Sequence, residues 1–259
     1  MTWLGLRRRW HVAREQWRQI WAGPPHGCDP YIDIDRRLTK TPITVIFDVG
    51  ANRGQSALQF HRWFPSATLH CFEPVPATFA HLQQTVRGWP HVYTHMCALG
   101  SSRGRGTLQV DSGDDSLTRI STDTNGIVAV ETLDEIVERL RVTAIDYLKI
   151  DTEGRDLEVL EGAARLLSTG AVAIVEVEAG MHRDNPLHVG SQVFAAFLED
   201  FGYRLFGVYE QTLEWPSADA HLRRANLVFV GPETIRRNRW PKEQVGIQAG
   251  AETAVTRQR

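Results

Sequence analysis

Long apolar runs are missing from this sequence: none approaches the ~20 residues needed to span a bilayer. Cysteine is scarce. Cys28, Cys71 and Cys97 form an odd, widely spaced set with no C-x-x-C pair, which argues against a zinc or redox motif and suits a reducing cytoplasm. Charge of one sign is lacking too, with a formal net charge of -2 over 259 residues, so no nucleic-acid partner is expected. The N-terminus is basic but lacks the continuous apolar segment of a cleaved signal peptide. The dinucleotide fingerprint G-x-G-x-x-G is absent as well. Hydrophobic residues make up 42%, ordinary for a soluble core, and the length suits one large α/β domain or two small ones.

What is present is organised around residues 46–56, IFDVGANRGQS. The apolar run 43–47 leads into Asp48, then Gly50 and Gly54, then a helical pattern carried by Ala57, Leu58, Phe60 and Phe64. This reads as a buried strand, a glycine turn and a helix start. The glycines are expected to let the backbone pass close to a ligand. The N–H groups of the helix start are expected to face an anionic group. Asn52 stands where the second fingerprint glycine would be. A pyrophosphate therefore fits less well than a smaller anion, such as the carboxylate of an amino-acid-like cofactor.

In residues 3–21, Trp3, Leu6, Trp10, Ala13, Trp17 and Ile20 fall at a/d heptad positions, with Arg7, Arg8, Arg14 and Arg18 mostly opposite. The pattern predicts an N-terminal amphipathic helix. Its narrow stripe favours packing on the domain or self-association over peripheral contact with an anionic membrane. Residues 23–27, GPPHG, then act as a linker. Strands are expected at 44–48, 68–72, 92–98, 147–151 and 172–178, with helices at 54–64, 76–88, 133–140, 156–167 and 190–201. That alternation implies a parallel sheet with helices on both faces. Two short strands around the polar stretch 111–124 suggest an inserted β-hairpin at the sheet edge. Strands at 203–208 and 225–230 follow, joined by a loop long enough to cover a site. Three parts are expected: 1–27 helix and linker, 28–232 the catalytic domain, and 233–259 a polar disordered tail.

Five motifs carry a resemblance. They are Asp48-Val49-Gly50-Ala51-Asn52-Arg53-Gly54, Phe72-Glu73-Pro74, Ala98-Leu99-Gly100, Thr132-Leu133-Asp134, and Lys149 to Gly154 with Val159 to Ala163. In order and separation they are similar to the FkbM family of S-adenosylmethionine-dependent O-methyltransferases, over about residues 43–180. The resemblance implies a Rossmann-like seven-stranded methyltransferase sheet and S-adenosyl-L-methionine as cofactor. The family commonly has glutamate where this chain has Asp156, a departure that points to a different substrate.

Cofactor contact is expected from Asp48, Gly50, Asn52 and Gly54, from Glu73 as the carboxylate accepting both ribose hydroxyls, and from Ala98 beside an adenine ring, with Cys97 and Leu99 around it. Strand alternation puts Tyr147, Lys149 and Asp151 on one face, and Ile174, Glu176 and Glu178 on one face of the next strand. Lys149 with Glu176 reads as a structural ion pair. Asp151 and Glu178, at the ligand-binding strand ends, and His182 in the following turn are the candidate catalytic residues. Asp151, Glu178 and Glu153 offer an alternative Mg²⁺ site, disfavoured because no dense ligand motif appears, so no metal ligand is assigned. Asp115 and Ser116 lie in a region resembling a family serine-leucine motif, with no role assigned. Tyr209 and Trp215 are expected to stack on a sugar ring.

The expected function is methyl transfer to a hydroxyl of a glycan, sugar or secondary metabolite in the cytoplasm. The alternatives are a catalytically silent binding protein on the same fold, or a nucleotide-sugar or dinucleotide enzyme.

Overall fold

The computed structural model describes residues 24–110, 118–122, 127–213, 215 and 220–239. The expected helix at 3–21, the pair Asp115 and Ser116, and the tail from 240 onward lie outside these residues. In chain order the elements are α1 (Pro30–Arg37), β1 (Val45–Val49), α2 (Gln55–Trp63), β2 (Thr68–Phe72), α3 (Pro76–Thr85), β3 (Val92–His95), β4 (Ala98–Leu99), β5 (Gly104–Val110), β6 (Thr118–Thr122) and β7 (Val128–Glu131). There follow α4 (Leu133–Leu140), β8 (Ile145–Ile150), α5 (Asp156–Glu161), α6 (Ala164–Ser168), β9 (Val172–Gly180), α7 (Ser191–Asp200), β10 (Arg204–Thr212), β11 (Arg224–Val230) and α8 (Pro232–Arg237).

Seven strands form one sheet in the order β3-β2-β1-β8-β9-β11-β10, with β11 antiparallel to both neighbours and the pairings from β3 to β9 all parallel. The chain walks outward from β1 to β3, then resumes beside β1 with β8. That reversal is the switch point at which an open α/β sheet leaves a crevice at its carboxyl ends. Alternation along the strands sorts side chains into two cores. Phe47, Val49, Leu148, Ile150, Val175 and Val177 pack with residues of α4 to α7. Ile46, Tyr147 and Ile174 pack with Ile34, Ala57, Phe60 and Leu82 of α1, α2 and α3 on the other face.

Local signals explain several boundaries. Thr132 caps α4 through a capping box with Glu135. Asp29 caps α1, its Oδ1 accepting from the N–H groups of Tyr31 and Ile32 at 2.8 and 3.0 Å, with Pro30 in the first turn.

The structure departs from the sequence expectations in four places. The segment 98–131 is not a hairpin on the sheet edge but a separate four-stranded sheet, β4-β7-β5-β6, and the polar stretch contributes β6 to it. The expected strand 92–98 breaks after His95, and Ala98–Leu99 pairs with β7 instead. The expected helix 156–167 is split at Gly162 and Ala163. There the backbone meets the neighbouring motif: a Cβ on Gly162 would lie 2.1 Å from the carbonyl oxygen of Gly100. The chain also stays ordered past Glu233. α8 buries Thr234, and Asn238 Nδ2 donates to Thr41 Oγ1 at 2.8 Å. Among the described residues no helix is long and apolar enough to cross a membrane.

Gly162 has an ordinary helical backbone, so its side-chain restriction is purely steric. Gly162→Ala is expected to destabilise the protein by about 2–3 kcal/mol, as overpacking against backbone does. Gly104→Ala, with nothing within 4 Å of an added Cβ, should change stability by no more than about 0.5 kcal/mol. Urea unfolding midpoints of the two variants check the contrast.

Candidate active site

The crevice at the switch point is a cavity of about 590 Å³. Its walls are the ends of β1 (Val49 to Asn52), β2 (Phe72, Glu73) and β8 (Lys149 and Asp151 to Glu153), with Cys97 to Gly100 on and beside β4. Gln55 and Ser56 open α2 on the same wall. Their first-turn N–H groups have no partner inside the helix and so suit an anionic group.

At one end, Glu73 is 5% exposed and its carboxylate is held on both sides. Oε2 accepts from the Asn52 N–H at 3.0 Å and Oε1 from the Val75 N–H at 2.8 Å. Burial raises its pKa, and these two bonds work against the rise. Each oxygen keeps a further lone pair, so the group can still accept a diol. Asn52 is left-handed, φ 47°, a conformation asparagine tolerates and one that stands in for a fingerprint glycine.

Gly50 and Gly54 also permit close approaches within the fold. Gly50 has φ 83°, and a Cβ there would lie 1.9 Å from the Asp151 carbonyl oxygen. At Gly54, φ 95°, a Cβ would press on Thr85 and Leu82 at 3.1 and 3.3 Å, and the residue is not on the cavity wall. The glycines let β1 close against β8, and α2 against α3, and of the two Gly50 is also on the cavity wall. Asp48 also lies off the wall. It is wholly buried beneath the turn, and neither carboxylate oxygen has a hydrogen-bond partner among the described residues. Burial pushes its pKa up to about 7 against the pull of Lys149, with Asp151, Glu176 and Glu73 adding to the rise.

The other end is charged. Lys149 Nζ donates to Asp151 Oδ2 at 2.8 Å, with the side chains 8% and 32% exposed. Burial pushes the Asp151 carboxyl upward, but Lys149 outweighs it and the net shift is down. The expected pairing of Lys149 with Glu176 is replaced by this bond. Glu176 instead accepts from the Tyr147 hydroxyl and from Asn226 Nδ2, the latter at 2.8 Å. Glu178 stands behind the wall, bound to Arg224 and to His188 Nε2, the latter at 2.6 Å. Glu153, in the turn after β8, lines the cavity. Burial and the nearby Asp151 and Glu178 push its pKa up to about 7. Asp156 is buried and accepts from the Thr152 N–H at 2.9 Å, so it braces this turn without touching the cavity.

His182 is not brought to the cavity. Its ring lies on the surface, 5.1 Å from that of His221 and 6.3 Å from that of Trp215. Tyr209 is fully buried and donates to Asp33 Oδ2 at 3.0 Å, so its ring cannot stack on a substrate. Gly50, Asn52, Glu73, Ala98 and Asp151 do share the wall.

Four residues of this region escaped the sequence reading. Tyr31 reaches the wall from α1, whose Asp-Pro start was the available signal. Arg224 arrives opposite Gly180 in the β11–β9 register. His188 is returned by the turn at Asn185 and the bridge between Gly180 and Gly190. Glu210, also left-handed with φ 47°, lies where the β10–β11 register shifts, a bulge that turns its side chain to the cavity wall.

The strand order, the one reversed strand and the cavity at the switch point define a methyltransferase-type α/β fold. The sequence profile described as Methyltransferase FkbM domain matches residues 48–205, and the chain belongs to that family. It is 30% identical over 142 residues to "Hexuronic acid methyltransferase AglP" of Haloferax volcanii, covering 53% of this chain and 57% of that protein. It is 25% identical over 212 residues to "2-O-methyltransferase NoeI" of Sinorhizobium fredii, covering 73% and 83%. The first of these matches thus spans little more than half of its relative's length. Among solved structures, TrmK of M. capricolum with S-adenosyl-homocysteine aligns with a TM-score of 0.44 at 10% identity, over 76% of this chain and 68% of that one.

Asp48 titrates from an ordinary 3.8 when unfolded to about 7 when folded. Between those values the folded state holds the proton that the unfolded state has lost, so this group makes stability fall as pH rises from about 4 to 7. Asp48→Asn removes that term. The variant should therefore lose less stability than the parent over that interval, the difference growing by up to about 1.4 kcal/mol per pH unit. Denaturant unfolding of both proteins across the interval checks this; parallel pH curves would count against the assignment.

Proposed function

We propose that the protein is an S-adenosylmethionine-dependent O-methyltransferase acting on a hydroxyl of a sugar or other polyol. The observation that carries the reading is the Glu73 carboxylate, fixed by the turn after β1 and by the start of α3, on the wall of a switch-point cavity. The residues present suit that cofactor. Glu73 would accept the ribose hydroxyls, Cys97 to Leu99 would flank the base, and the α2 start would face the carboxylate. Asp48, buried without a partner beneath the turn, would give a nearby ammonium group a compensating charge.

When bound, the cofactor supplies a methyl group on a positively charged sulfur that leaves as a neutral thioether. The protein's own share is then alignment and removal of a proton. Asp151 is suited to both: it is on the wall, partly exposed, and held ionised by Lys149. An alcohol oxygen becomes strongly acidic as it gains a methyl group, so even a weakly basic carboxylate takes its proton. Glu178 acts from behind by holding Arg224 at the wall. A hydroxyl-rich acceptor matches the carboxylates Asp151, Glu153 and Glu210 on this end, each able to accept from sugar hydroxyls. The name of the first relative, a hexuronic acid methyltransferase, supports a carbohydrate acceptor, and that of the second, a 2-O-methyltransferase, supports transfer to oxygen.

Glu73→Ala is expected to weaken cofactor binding by about 1.5–3 kcal/mol, the worth of lost hydrogen bonds to a charged group, with calorimetry against S-adenosylhomocysteine as the measurement. Asp151→Asn should keep cofactor affinity near that of the parent while turnover on a panel of sugar acceptors falls by about two to four orders of magnitude. Normal turnover per folded molecule, with a lowered melting temperature, would assign Asp151 to the scaffold.

A further inference from the structure

Beyond the methyl-transfer reading, we propose that Glu153, Glu178 and His188 form a binding site for a first-row divalent cation at the acceptor end of the cavity. One ligand atom from each lies within 4.8 Å of the others. The set is mixed, two carboxylates and one imidazole, which favours an ion such as Mn²⁺ over the all-oxygen preference of Mg²⁺ or Ca²⁺.

Each of the two inner ligands is oriented from its far side, as metal ligands commonly are. Arg224 takes Glu178 Oε1 and leaves Oε2 turned to His188 Nε2 at 2.6 Å. Asn185 presents both its nitrogen and its oxygen to His188 Nδ1, at 3.0 and 3.1 Å, so either tautomer is satisfied. Asn185 is itself fixed by the Leu187 N–H and the Arg223 carbonyl, both at 3.0 Å. A bound cation would take the place of the hydrogen bond between Glu178 Oε2 and His188 Nε2.

The third ligand is brought in by the turn after β8. Glu153 and Gly154 are left-handed, φ 56° and 98°, and a Cβ on Gly154 would lie 2.2 Å from the Leu187 carbonyl oxygen. The Glu153 turn is thus seated directly on the loop that carries His188. Charge points the same way. Asp151 is answered by Lys149 and Glu178 by Arg224, while Glu153 has no ion-pair or hydrogen-bond partner among the described residues. Glu153 is also the ligand on the cavity wall, which gives an ion a route in.

The test uses the full chain, stripped with a chelator and titrated with Mn²⁺ without methyl donor or acceptor, so its outcome stands apart from the methyl-transfer reading. Calorimetry should show saturable binding of one ion per chain. Pulsed electron paramagnetic resonance of the bound Mn²⁺ should show coupling to an imidazole nitrogen. Glu153→Gln and His188→Gln should each weaken binding at least ~10-fold, and His188→Gln should remove the nitrogen coupling. Glu73→Ala, at the other end of the cavity, should bind Mn²⁺ as the parent does. Melting curves establish that each variant is folded; Glu153→Gln carries the test alone if His188→Gln is not. Absence of saturable binding at millimolar Mn²⁺, affinity unchanged in a folded variant, or a bound ion without nitrogen coupling would each overturn the proposal.

Discussion

Lys149 puts an ammonium group in the centre of the sheet, 7% exposed, and the surrounding structure is arranged to answer it. In the sheet register it stands between Asp48 of β1 and Glu176 of β9, so three adjacent parallel strands place a carboxyl, an ammonium and a carboxyl group in one row. Burial alone would strip the proton from Lys149, but Asp151, Glu176 and Asp48 hold it on. A buried ammonium with its partners removed costs about 3–5 kcal/mol. The row therefore ties the order of the central strands to the composition of the site, because Lys149's nearest partner, Asp151, is also the carboxylate on the cavity wall.

A second constraint acts between backbones. The turn after β1 closes on the end of β8 at Gly50 and Asp151, the turn after β8 on the following loop at Gly154 and Leu187, and the split between α5 and α6 on the start of the second sheet at Gly162 and Gly100. In each pair a carbonyl oxygen occupies the volume of an absent Cβ. The motif segments that look independent along the chain are thus mutual requirements in space, and together they hold Glu73, Asp151 and Glu153 around one cavity. The pKa values of Asp48 and Glu153, both pushed up to about 7, follow from the same close packing, since burial is the leading cause in each.

Much of this was legible from residue order. The alternation of strands and helices, the helix at 133–140 and the placing of Gly50, Asn52, Glu73, Ala98 and Asp151 at strand ends rest on local signals, namely period-two alternation, turn glycines and polar residues where apolar strands end, while the seven-stranded sheet came with the family resemblance. A strand's carboxyl end lies near the ligand edge whatever its neighbours are, so residues at such ends can be placed before their neighbours are known. Membership of the FkbM family rests on the same ordered motifs.

What only the tertiary structure decided depends on distances that no local signal carries. The sequence pointed to His182, but the turn at Asn185 with the Gly180–Gly190 bridge brings His188 to Glu178 instead. Tyr209 reads as a stacking platform until α1 covers it and Asp33 takes its hydroxyl. The second sheet became visible only when β4 left the main sheet for β7. The sequence by itself determined which residues end each strand, because alternation and turn chemistry act over a few neighbours. The partner of each buried charge was decided by the fold, because a charge is stabilised by whatever lies within a few ångströms of it, and here that includes Lys149 beside Asp151 and Arg224 beside Glu178.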